Sequence, residues 1–133
     1  EKMRAMPSFM IGLAIAAAGF WVIGLARSGP VSLIFLGIFI FAVGEMITSP
    51  RIQEYITWIA PKEKAGLYMG SNFLAVMIGG FTSGFFYTTL YGHLNKSGKP
   101  EVVWFVMAVH VMVAVAVFWA FVRFAGEFKE QKA

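Results

Sequence analysis

Cysteine and aspartate are absent from this chain of 133 residues, and charge of either sign is scarce. Without cysteine there is no disulfide and no thiolate metal site, and the redox compartment stays undetermined. Charged residues make up 14%, where soluble domains carry about 25%, so an ordinary water-soluble domain is excluded. Also missing are a dinucleotide GxGxxG, a phosphate-binding loop, an HExxH zinc pattern and any nucleophile–base spacing. The reading is therefore of a non-enzyme with no metal and no cofactor.

What is present belongs in a lipid bilayer. Hydrophobic residues make up 59% and aromatics 17%, and mean hydropathy is +0.72. The net charge of +4 does not point to nucleic acid, because the basic residues gather at the ends of apolar runs, as membrane topology places them. Four such runs come near the roughly 20 residues that span hydrocarbon. They are Pro7 to Ala26, Val31 to about Ile47 with a more polar continuation to Ala60, Leu67 to about Leu94, and Val102 to about Phe124. The first is too long for a signal peptide, and no cleavage pattern follows it. Between the runs lie residues 27–30, 61–66 and 93–100, rich in Gly, Pro and polar residues, as turns require. Pro7, Pro30 and Pro100 precede or open helices, where a missing N–H matters little.

The expected fold is an all-α membrane protein, one domain over residues 1–133 with four transmembrane helices and a cytoplasmic tail at 125–133. Basic residues orient it. Lys2, Arg4, Arg51, Lys62, Lys64, Arg123, Lys129 and Lys132 fall on one side, and Arg27, Lys96 and Lys99 on the other. Eight against three puts both termini and the 51–66 joint in the cytoplasm, with the cell (inner) membrane as the location. The chain opens Glu-Lys-Met-Arg and enters a helix almost at once, and four helices alone expose much small and polar surface to lipid. The expectation is a piece of a larger transporter.

The second run contains "GEMITSP", Gly44 to Pro50, directly behind a long apolar stretch. Glu45 lies about 14 residues after Val31, roughly 21 Å along a helix, far from a headgroup. Phe41, Glu45, Ser49 and Ile52 share a helical face with Thr48 beside them. Pro50 removes the N–H that would bond the Met46 carbonyl and tends to kink the helix, and Thr48 and Ser49 can recover part of that bonding. Ser49, one turn on, can also donate to the Glu45 carboxylate. An acid in a membrane segment points to a proton carrier or counter-ion, and the alternative is a structural ion pair with another helix. Beyond Pro50, Arg51 and Glu54 are spaced to pair along one helix, as solvated charges or as a gate, and Tyr55 and Trp58 suit the membrane interface.

The third run carries a small and polar stripe, Tyr68, Asn72, Gly79, Ser83 and Tyr87, which reads as an inner helix whose glycines allow close packing. Asn72 either lines a cavity or hydrogen-bonds a neighbouring helix. Gly12, Ala16 and Gly19 in the first run read as packing positions. His110 stands alone in a valine-rich run, which favours a neutral, satisfied histidine over a metal ligand or proton relay.

"GEMITSP", followed by "IAPKEKAGLYMGSNFL" at the start of the next helix, resembles the tenth and eleventh helices of a major facilitator superfamily transporter. It is most similar to the proton-coupled oligopeptide branch, with its G-E-x-x-x-S-P helix, A-P loop and x-M-G-x-x-F-L start. The resemblance runs from about Phe41 to Leu74, and the helix count extends it to helices nine to twelve of a twelve-helix fold. It implies that Glu45 sits at the central cavity, near substrate or a basic partner, with Ser49 beside it and Pro50 at a gate-forming bend. The proton and substrate site is then Glu45, Ser49 and Asn72, and the gate or kink is Pro50, Thr48, Arg51 and Glu54. The implied activity is proton-coupled transport of a small solute, di- or tripeptides for this branch, by alternating access. The implied partners are the lipid bilayer, the solute, protons and the remaining helices of the transporter. The E-x-x-E-R signature of the branch belongs to a helix this chain lacks, and "SPRIQEYI" is more polar than the branch shows. Two other readings stand beside it. A small four-helix drug–proton antiporter acts as a dimer, but carries its acid in the first helix. A non-transporting assembly subunit needs neither a deep acid nor a kinked helix.

Overall fold

The computed structural model describes residues 5–125. The basic residues Lys2, Arg4, Lys129 and Lys132, and the tail beyond Ala125, lie outside the described residues. Four helices account for most of the rest: α1 (Ala5–Gly24), α2 (Ser32–Ile59), α3 (Ala65–Lys96) and α4 (Val102–Ala125). Each is long and apolar enough to cross a membrane, and the chain is an integral membrane protein of four α-helices. Only Ala125 of the expected tail is described, and it closes α4.

The turns follow the Gly/Pro chemistry of the sequence. After α1 a short 3-10 turn, Leu25–Ser28, leads to Pro30, whose carbonyl accepts the Leu33 N–H at 3.0 Å as α2 begins. Pro61 introduces a second 3-10 turn, Lys62–Lys64. At the end of α3, Lys99 N–H donates to the Leu94 carbonyl at 2.9 Å and Gly98 N–H to Asn95 at 3.0 Å. That pair of bonds closes a helix only if Gly98 turns left-handed, and its φ is +70°.

α1 is the centre of a row, α2–α1–α4. Its contact with α2 is backbone to backbone, because glycines and alanines meet along the crossing. A Cβ placed on Gly44 would lie 2.5 Å from the Ala16 nitrogen and 2.6 Å from the Gly12 carbonyl oxygen. Gly19 meets Phe41 and Gly37 in the same way. In lipid there is no water to expel between helices, so this close approach supplies the van der Waals contact that holds them together. The expected packing role of Gly12, Ala16 and Gly19 is what the structure shows. On the other side of α1 the contact with α4 is aromatic: Phe9 with Phe118 and Trp21 with Phe105, both at 5.0 Å between ring centres.

α3 differs from the others. It has no buried residue, touches α2 and α4 only sparsely, and presents Gly66, Gly70, Gly79, Gly80, Gly84 and Gly92 to open space. The stripe that reads as an inner surface therefore has no partner among the described residues at its glycines.

Candidate functional site around Glu45

α2 runs through Pro50 without interruption to Ile59, as the sequence places its end near Ala60. Which way each residue of "GEMITSP" points follows from the seam with α1. Gly37, Gly44 and Thr48 meet α1 directly. With about 3.6 residues per turn, Glu45 and Ser49 then fall on one flank of that seam, and Ile47, Arg51 and Glu54 on the other. Glu45 and Ser49 thus share a face, as their spacing requires, and Arg51 and Glu54 stand across the seam from them.

Glu45 is exposed and makes no hydrogen bond or ion pair with another described residue. No structural ion pair of Glu45 is formed among the described residues. Ser49 is exposed as well, and the hydrogen bond to Glu45 that one-turn spacing allows is not made. Thr48 turns inward, its hydroxyl donating to the Gly44 carbonyl at 2.8 Å. That bond lies one residue pair away from the Met46 carbonyl that Pro50 leaves without its helical donor, so the recovery expected of Thr48 goes to a different carbonyl. The Gly44 oxygen is held where α1 crosses, and Thr48 serves the helix contact.

On the other flank Arg51 donates to Glu54 at 2.8 Å, the pairing their spacing predicts. Both side chains are more than a third exposed. They line a crevice of about 450 Å³ with Ser8, Ile11, Met46, Ile47 and Pro50, between the start of α1 and the end of α2. Asn72 is half-buried on α3 and is not hydrogen-bonded to Glu45 or Ser49.

Two polar contacts are not legible in the sequence. Arg27, after α1, forms an ion pair with Glu101 and donates to the Gly98 carbonyl at 3.3 Å, clamping the α1–α2 turn to the α3–α4 turn. The partners are 74 residues apart, and the only hint is opposite charge on two turns assigned to one side. The second joins Tyr87 of α3 to His110 of α4, hydroxyl to Nδ1 at 2.6 Å. His110 is thus a partnered histidine, as its isolation suggests, and its partner belongs to the polar stripe of α3. Among the described residues no three His or Glu side chains gather to hold a metal ion.

No family model matches the chain, and no solved structure matches it. Over 98 residues, 74% of its length, it is 26% identical to the multidrug resistance protein MdtH of Aeromonas salmonicida (strain A449). The chain spans about a quarter of that protein, 24% of its length.

Proposed function

We propose that this chain is the four-helix C-terminal part of a secondary active transporter of the major facilitator type, and that Glu45 carries the coupled proton. The observation that carries the reading is Glu45 itself, a carboxylate in an apolar span with no partner among the described residues. An unpaired acid in hydrocarbon is tolerated where it faces a cavity or a partner from another helix. The likeness to a multidrug resistance protein supports transport, and the "GEMITSP" segment supports proton coupling. Alternating access needs two repeats that rock about a site near the midplane, and in this reading the remaining helices of the protein supply the other repeat and cover α3. Both termini and the 51–66 joint then face the cytoplasm of a cell-membrane protein.

The chemistry of coupling follows from where the acid sits. Closed away from water, a carboxyl group prefers its neutral form, and opening to water or to a cation prefers the carboxylate. Two conformations that prefer different charge states give protons the differential affinity that transport requires. The solute is a small molecule. The multidrug likeness favours a drug-like compound, and the oligopeptide-like segment favours a di- or tripeptide.

The test uses the intact transporter in vesicles, with Glu45→Gln holding the neutral shape. Uphill accumulation driven by a proton gradient falls at least tenfold, while solute exchange without a gradient persists within about twofold. Normal accumulation by Glu45→Gln with only a lower melting temperature would overturn the proton-carrying role. Competition by dipeptides against competition by hydrophobic drugs, in the same vesicles, assigns the solute class.

A further inference from the structure

Two apolar grooves on the α1–α4 face run into one another. The first, about 400 Å³, is lined chiefly by Ala14, Ala17, Trp21, Ala108, Met112 and Ala116. The second, about 490 Å³, shares Ala14, Met112 and Ala116 and continues to Pro7, Met10 and Trp119. Neither is lined by a charged side chain or a hydroxyl. Alanines of α1 and α4 form the floor of the groove, and Trp21 and Trp119 stand at its two ends, half-exposed or more. Indole rings favour the level of the headgroups, which suits the end of the groove at Trp119.

From Pro7 to Trp21 the groove follows α1 for about 21 Å at 1.5 Å per residue, more than the roughly 15 Å that one leaflet of a 30 Å core provides. The two grooves share Ala14, Met112 and Ala116 and form one continuous apolar track along the helices, against which a hydrocarbon chain can lie. At one end stands a cation. Met112, Ala116, Trp119 and Arg123 recur at helical spacing along one face of α4, so Arg123 continues the groove one turn past Trp119. It is exposed and has no hydrogen bond or ion pair among the described residues. A guanidinium binds phosphate through two parallel hydrogen bonds.

We infer that the α1–α4 groove binds an anionic phospholipid, one acyl chain lying against the alanine floor and the headgroup phosphate held by Arg123, whose charge favours a headgroup with no cation of its own. The site is on the opposite edge of α1 from the seam with α2, and lipid binding there does not depend on which solute the protein carries.

Brominated lipids quench tryptophan on contact, and Trp119 is a built-in reporter. The intact protein is reconstituted with chain-brominated phosphatidylglycerol or phosphatidylcholine, and the Trp119 signal is taken as the difference from Trp119→Phe. Half-maximal quenching by the anionic lipid comes at a roughly fivefold lower mole fraction, the factor that one basic residue near an anionic headgroup supplies. Arg123→Gln abolishes that preference, and Ala116→Leu, which fills the groove, weakens quenching by both lipids. Should Arg123→Gln fail to fold, the preference of the unaltered protein must collapse in 1 M salt, where screening acts within about 3 Å. Equal quenching by both headgroups reduces the groove to ordinary lipid contact and overturns the inference. An absence of Trp119 quenching by either lipid overturns it too, and shows a protein segment covering the face.

Discussion

Gly44 does two things at once, and the second depends on the missing side chain. Its carbonyl accepts the Thr48 hydroxyl, and its α-carbon lets α2 lie against Ala16 and Gly12 of α1. A methyl group would need room that backbone atoms at 2.5 and 2.6 Å do not leave, so the helices themselves must separate. Overpacking of that kind costs about 1–3 kcal/mol. Gly44→Ala therefore lowers the unfolding free energy of the intact protein in detergent by about that amount. Gly12→Ala does the same, and the double variant loses less than the sum, because one separation of the helices accommodates both methyl groups. Strict additivity in reversible denaturant unfolding would show that the two glycines do not share a seam. Glu45 is the immediate neighbour of this contact, which fixes the flank on which its carboxylate stands.

At the scale of the helices, the row α2–α1–α4 is firmly joined and α3 is not. What ties the α3–α4 hairpin to the rest at its far end is the Arg27–Glu101 pair, with Glu101 largely covered and Arg27 half-exposed. Such a pair contributes about 1 kcal/mol or less to global stability, but it governs the local opening of the two turns it clamps. Glu101→Gln thus raises amide exchange over residues 98–103 severalfold while the unfolding midpoint moves little. Exchanging the charges, Arg27→Glu with Glu101→Arg, restores protection. Unchanged exchange in Glu101→Gln would show that the pair clamps nothing. This clamp is also where sequence reading stopped. The four spans were legible because each apolar run reaches membrane length, and α2 was legible past Pro50 because its polar continuation keeps helical spacing. The Gly12–Ala16–Gly19 seam was legible as a small-residue stripe. The clamp was not, because opposite charges in two distant turns carry no register. Helical spacing already sets Glu45 and Arg51 on different sides of α2, but which flank of the seam each takes is fixed only once the face that meets α1 is known. Tyr87 and His110 were each noticed, but nothing in spacing pairs residues of two different helices.

For the whole molecule, the exposed α3 is the feature that separates the competing functions. Its six glycines from Gly66 to Gly92 face open space, and Glu45 has no partner among the described residues, so on the proposed transport reading this chain offers one side of a pathway. A small antiporter could supply the other side with a second copy of itself, and a larger carrier supplies it with further helices of its own. The two arrangements make different demands on the 133 residues. A dimeric antiporter needs nothing else, and the purified chain in liposomes would then exchange protons for solute. A carrier that works by rocking two repeats about a midplane site leaves the isolated chain without a second repeat, and its flux stays at the level of empty liposomes even when the helices insert. The expected outcome is the latter, with circular dichroism confirming helix in the same liposomes so that misfolding is not mistaken for inactivity. Proton-driven flux by the folded 133-residue chain, lost in Glu45→Gln, would keep the acid in its role but transfer it to a self-sufficient dimer.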